Sequence, residues 1–226
     1  MTREKKKKKR ILATVYVDVE TVPSSRLDVI ASIAAKYGPK PGDDEKTAEK
    51  ARQKALDEHR KTSLDGTFGE IACISWKVND GPIQSSWRAL DGNEGEMLSR
   101  FTFAMDDLAN EVGADGIIYV AHNAEFDRKF LTKRMCVHRL DGPKGLAARG
   151  VKSWDSQWRC TMDTWMDEWK GRISLADLAL ALSLPVGKDD LPGSEVYDAM
   201  LRGEVARVVS HCERDVELVR AVWQRL

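Results

Sequence analysis

The alternation of apolar and polar residues first predicts a strand near the start of the chain. "ILATVYVDVE" (11–20) is dense in β-branched and apolar residues, the composition of a central strand. Between about Arg26 and Asp65 that pattern lapses. "KYGPKPGDDEK" reads as a turn-rich linker, and "EKTAEKARQKALDEHRK" as a helix with few apolar positions on any side. Residues 26–65 are therefore expected to form an exposed helical insertion.

Strands resume with "GEIACISWKV" (69–78) and "IQSSWRAL" (83–90), joined through "NDG", a hairpin signal. Met97, Leu98, Phe101, Met105 and Leu108 then recur at helical spacing, predicting an amphipathic helix over roughly 94–111. "DGIIYVA" (115–121) predicts a short strand and "AEFDRKFLTKRM" (124–135) a helix. Beyond a Gly-rich break at 141–150, "SLADLALALS" (174–183) predicts a small apolar helix. "VARVVSHCERDVELVRAVW" (205–223) predicts a long one, with Val205, Val208, Cys212, Val216, Val219 and Trp223 on its buried side. A hairpin, a helix, a further strand and more helices make a mixed α/β domain with a central sheet.

Composition adds three constraints. With 226 residues, 42% of them hydrophobic, the chain can bury a substantial core in a single domain spanning 11–226. No apolar run is long enough to span a membrane, no secretory leader is visible, and Cys73, Cys136, Cys160 and Cys212 lie far apart. A reduced, cytoplasmic setting without structural zinc is expected. The formal net charge is zero, yet "MTREKKKKKR" alone carries +6 and the remainder −6. Residues 1–10 are expected to be a disordered basic tail, serving either solubility or attraction to phosphate backbones.

The chemistry concentrates in three segments. In "YVDVETVP" (16–23), Asp18 and Glu20 sit two apart on a strand and so share one face. Two neighbouring, partly buried carboxylates repel, and hard oxygen donors suit Mg²⁺ or Mn²⁺. In "YVAHNAEFDRKFL" (119–131), Asp127 falls near the first turn of a helix, where the helix dipole alone would favour it, and Asn123 is placed to cap that helix. In "HCERDVELV" (211–219), His211 and Asp215 stand at i and i+4 on one helix face, a spacing that a simple salt bridge also explains.

In this order and context the three segments resemble the DEDD superfamily of 3′–5′ exonucleases, which has a ribonuclease-H-like fold. "VDVET" looks like the first motif, "HNAEFD" the second and "HCERDV" the third. "LALSLPVGKDDLPGSEVYDAM" further resembles the branch related to proofreading domains of family-B DNA polymerases. The resemblance spans roughly 11–223 and leaves out the 26–65 insertion. It implies that Asp18, Glu20, Asp127 and Asp215 hold two divalent cations, Mg²⁺ or Mn²⁺. The implied reaction removes nucleoside 5′-monophosphates from a 3′ end, with single-stranded DNA favoured over RNA. Thr21, Val22 and Asn123 would contact the terminal nucleotide. Lys188 reads either as a phosphate contact or as a solvated loop lysine.

The sequence departs from the family at one position. The family places a Tyr four residues before the last Asp, or a His five before it. Here His211 occupies the four-residue spacing. It is expected to be the general base, because imidazole accepts a proton near neutrality more readily than a phenolate forms. His122 is the rival, reading more naturally as support for the neighbouring Asn123. Two alternatives accompany this reading: an inactive nucleic-acid-binding module of the same fold, and an RNA-directed exonuclease. Phosphate-binding stretches of the GxGxxG or GxxxxGK[ST] kind are absent, which sets aside dehydrogenases and kinases. The chain is too short to carry a polymerase as well, so a polymerase or repair protein is a possible partner. Trp154 and Trp158, then Trp165 and Trp169, recur at i, i+4 and are expected to pack rather than stack on bases, and Phe126 is expected in the core.

Overall fold

The strand carrying the first motif, β1 (Ala13–Val22), is the middle of a five-stranded sheet. This computed structural model describes residues 12–143, 146, 157–166, 171–187 and 191–226. The basic tail at 1–10, Lys188, Trp154 and Trp169 lie outside the described residues. The sheet order is β3-β2-β1-β4-β5, with β2 (Glu70–Val78), β3 (Ile83–Trp87), β4 (Ile117–Ala121) and β5 (Trp158–Cys160). The pairs β1–β2 and β2–β3 are antiparallel, whereas β1–β4 and β4–β5 are parallel. This is the mixed, ribonuclease-H-like α/β architecture that the sequence led us to expect.

The alternation along β1 assigns its two faces. Val15, Val17 and Val19 point into a core built with Ile71, Ile74 and Trp76 of β2, Met97, Leu98, Phe101 and Met105 of α3 (Glu94–Val112), and Phe130, Leu131 and Met135 of α4 (Ala124–Val137). Tyr16 and Val22 point the other way, beneath the long helix α8 (Val205–Arg225). Tyr16 packs with Val120, Val216 and Val219; Val22 packs with Ala72, Cys73, Val208 and Cys212. Asp18 and Glu20 are the positions between Tyr16 and Val22 on that face. They open a polar gap between two apolar clusters.

A register break sharpens this geometry. Glu20 faces Cys73 across the ladder, but Thr21 faces Ile71, so Ala72 is the extra residue of a bulge. Such a bulge bends and twists a strand locally. It lets Ile71 and Ile74 both reach the α3 side while Ala72 and Cys73 both reach α8. The hairpin between β2 and β3 is as predicted: Asn79 adopts a left-handed backbone with φ of 49°, and its Oδ1 accepts from the Thr14 amide at 2.9 Å.

The insertion is two helices rather than one helix behind a linker. These are α1 (Leu27–Tyr37) and α2 (Glu45–Lys61), and in them only Val29 and Ala48 are buried. Asp44 caps α2 by accepting from the Thr47 amide at 2.8 Å, which stops the polar linker where the helix formers begin. Its exit, however, is fastened to the sheet. Thr62 Oγ1 accepts from the Ser24 amide at 2.9 Å, and Thr21 Oγ1 donates to the Ser63 carbonyl at 2.8 Å. Arg60 makes a two-pronged pair with Asp198 on α7 (Val196–Leu201), and Lys133 of α4 reaches Asp65 at 2.6 Å. The insertion thus ends on the rim of β1.

Two short elements went unpredicted. In β5, Trp158 is a strand residue stacked on Tyr119 at 5.1 Å between ring centroids, so it packs in the core although not on a helix. Helix α5 (Thr161–Trp165) follows directly and leaves Trp165 exposed; α6 (Leu175–Ala181) matches the predicted apolar helix. Phe126 is half-buried beside Phe130, at the edge of the core rather than within it.

Candidate metal centre

The polar gap on β1 is completed from two other elements. Helix α8 lies across it with Val208 and Cys212 in the cluster around Val22, and Val216 and Val219 in the cluster around Tyr16. His211 and Asp215, one residue before Cys212 and one before Val216, therefore stand at the gap's height. His211 is buried, and its Nε2 lies 3.2 Å from Glu20 Oε1.

Helix α4 supplies the remaining carboxylate. Strand β4 pairs with β1 only over Ala13 to Tyr16, so β1 runs on beyond its neighbour with that edge uncovered. Asp127, in the first turn of α4, stands against this edge, where the backbone amides of Val19 and of Asp127 itself favour its charged form. A negative group there also suits the positive end of the helix. The position lies just beyond the carboxyl end of β4, alongside the part of β1 that β4 leaves uncovered.

The four acids share one field. Burial pushes Glu20 well above the ordinary carboxylate range, and Asp18, Asp215, Cys73 and Asp127 each push it further. Burial likewise raises Asp127 well above its usual value, with Asp18 and Asp215 adding to the rise against the two backbone hydrogen bonds. Asp18 is pushed up to about 6, again by burial. Its Oδ2 is buried without a hydrogen-bond partner, an expensive arrangement for a carboxylate unless a cation meets it. The donor set fits a divalent ion of the hard, oxygen-seeking kind.

Sulfur is the unforeseen member. Donor atoms of Asp18, Glu20 and Cys212 lie within 4.8 Å of one another. Cys212 Sγ donates to the Asp18 carbonyl at 3.4 Å. The sequence placed Cys212 in the apolar stripe of α8, which is correct, but its position directly after His211 was the available signal that it also borders the site.

The other predicted residues are placed as follows. Thr21 is half-buried with its hydroxyl engaged by Ser63, and Val22 is buried beneath α8. Asn123 precedes α4 with a left-handed backbone, φ 55°, and its side chain makes no capping bond; the cap expected from the sequence is absent because this conformation directs the side chain elsewhere. His122 bonds through both ring nitrogens, to Thr161 Oγ1 at 2.9 Å and the Ile173 carbonyl at 2.8 Å, which fastens β4 to the segments after β5. A groove of about 1330 Å³ adjoins Asp215 and is lined by Leu175, Pro185, Arg207, Ser210 and Arg214.

No helix among the described residues is long and apolar enough to cross a membrane. No protein-family model matches the chain, and no curated protein matches it. Among solved structures, the chain is similar to the family B DNA polymerase from the hyperthermophilic archaeon Pyrobaculum calidifontis, with a TM-score of 0.59 at 15% sequence identity. The match covers 95% of this chain and 24% of that polymerase, so the chain spans about a quarter of its length. The likeness is one of fold, and it extends over nearly the whole of this chain.

Proposed function

We propose that the chain is a metal-dependent 3′–5′ exonuclease that removes nucleoside 5′-monophosphates from the end of single-stranded DNA. The observation that carries this is the close pair Asp18 and Glu20 on one face of β1, on which the charges of Asp127 and Asp215, from two distant segments, also bear unfavourably. A stable core has no reason to gather like charges, whereas a site for divalent ions requires it. The fold shared with a DNA polymerase supports nucleic acid as the substrate.

Asp18, Glu20, Asp127 and Asp215 would hold two divalent cations, Mg²⁺ or Mn²⁺, which neutralise the phosphodiester and stabilise the charge that develops in phosphoryl transfer. The chain's own residues do the rest. Strand β1 and the bulge beside Glu20 fix where its oxygens and those of Asp18 stand, and the Val19 amide favours the charged form of Asp127. His211 is the proton acceptor for the attacking water. Its Nε2 lies 3.2 Å from Glu20 Oε1, beside the carboxylates that would hold the cations, where a neutral imidazole would take the proton of the attacking water. The backbone of Thr21, at the rim, and Asn123 meet the terminal nucleotide, and the Val22 side chain acts from beneath as packing.

The test is release of labelled mononucleotide from single-stranded DNA, duplex DNA and RNA, with Mg²⁺, with Mn²⁺ and with EDTA. Asp18→Ala should reduce release by about a thousandfold or more while the protein keeps its fold. Metal-independent binding of 3′ ends without cleavage would instead identify a binding module, and preferential loss of RNA would identify an exoribonuclease.

A further inference from the structure

The exonuclease reading needs four carboxylates and a base; it has no use for the thiol of Cys212. Packing alone would be met by any small apolar residue on the buried side of α8. Yet the sulfur is held at the site: Sγ donates to the carbonyl of Asp18, the residue whose Oδ2 is buried without a partner, and it belongs with Asp18 and Glu20 to a set of donors all within 4.8 Å. Cys212 is fully buried, so no competing thiol chemistry with solvent accounts for it.

Hard oxygens and a thiolate together select differently from oxygens alone. Mg²⁺ ignores sulfur, whereas Zn²⁺ and its softer congener Cd²⁺ bind thiolate, imidazole and carboxylate in mixed sets. Metal–sulfur bonds near 2.3 Å and metal–oxygen bonds near 2.1 Å, tetrahedrally arranged, set donors roughly 3.5 Å apart. The Glu20 side chain, with three rotatable bonds, can close the remaining distance.

We propose that Asp18, Glu20 and Cys212 form a mixed oxygen–sulfur site that captures a thiophilic divalent ion, Zn²⁺ or Cd²⁺, and that such an ion stops turnover by occupying two of the four carboxylates. On capture the S–H bond is replaced by a sulfur–metal bond and the proton leaves to solvent. The inhibitory consequence rests on the proposed nuclease function; the site itself rests on the three donors.

The experiment is a titration of the metal-free full chain with Cd²⁺, read by the ultraviolet charge-transfer absorption of a cadmium–thiolate bond, with each cysteine replaced in turn. One equivalent of Cd²⁺ should produce the band in the unaltered protein. Cys212→Ser and Cys212→Ala should each lose that band and weaken Cd²⁺ binding at least tenfold, and Asp18→Asn should weaken it as well. Cys73→Ser, Cys136→Ser and Cys160→Ser should keep it. No band in the unaltered protein, a band surviving both Cys212 replacements, or a band that follows another cysteine overturns the proposal. Thermal stabilisation by Mn²⁺, measured on the same samples, reports the carboxylates alone. Its absence with the cadmium band intact would sink the nuclease reading and leave the sulfur site standing.

Discussion

Two buried carboxylates, Glu94 and Glu20, are treated in opposite ways. Glu94, at the start of α3, is as deeply buried as Glu20, and burial alone would raise it. It is held below its usual value nonetheless, because Arg134 grips both oxygens at 2.6 to 3.1 Å, the Ile71 amide donates at 2.7 Å and His138 Nε2 stands 2.6 Å away. Glu20 has a histidine too, His211, but the charges that bear on it are those of Asp18, Asp215 and Asp127, with the thiols of Cys73 and Cys212 nearby. One site is closed by the protein's own cations; the other is a buried acidic cluster whose donors could hold a metal ion. Burial depth therefore does not separate the two carboxylates. The sign of the neighbours does.

The comparison breaks most sharply at its two histidines. His211→Ala should lower the cleavage rate by ~10²–10⁴-fold, whereas His138→Ala should leave the rate within a factor of two. Single-turnover kinetics on end-labelled DNA would decide it, and equal losses would abolish the distinction. Next in size is Glu94→Ala, which strands Arg134 in the core; breaking a buried pair costs about 3–5 kcal/mol, a fall in melting temperature of about 10 °C. Calorimetry should register that fall with Mg²⁺ present or absent.

The third test uses pH, since the two regions titrate in opposite senses. Asp18, raised to about 6, and Glu20, raised well above its usual value, contribute stability that is complete below about pH 4 and is lost as the pH rises through their folded-state values, for Asp18 about 6. Glu94, lowered, contributes stability present above its unfolded value and lost as the pH falls. Saturating Mn²⁺ should therefore stabilise the chain by about 2–3 kcal/mol at pH 7.5 and by much less at pH 5. A melting shift that is independent of pH would contradict this. The smallest effect has an unusual sign. Glu20→Gln removes repulsion and should raise the melting temperature of the metal-free protein by about 2–4 °C while reducing its cleavage.

Much of this was legible from residue spacing, where one element carries its own signal. The period of two in β1 put Asp18 and Glu20 on a common face, and the apolar stripe of α8 fixed how that helix lies, hence where His211 and Asp215 stand. The polar composition of "EKTAEKARQKALDEHRK" gave α2 to the residue. What escaped were features created by tertiary contacts. Strand β5 is three residues long and exists because β4 offers an edge; the Ala72 bulge is visible only in the pairing of β1 with β2. Asn123 has the composition of a cap but is set in a left-handed turn. Glu94 reads as an ordinary helix start, and its bond to Arg134, 40 residues on, has no local pattern. Cys212 looked apolar because its neighbours on the helix are.

The brevity of β4 carries a design rule. Hydrogen-bonded pairing with β1 stops at Tyr16, and the amide of Val19 is thereby left to a carboxylate. Were β4 lengthened by three residues, a strand carbonyl would claim that amide and displace Asp127, and the sheet would be better paired at the expense of the acidic cluster. Cutting a ladder short is what leaves room for a carboxylate beside β1.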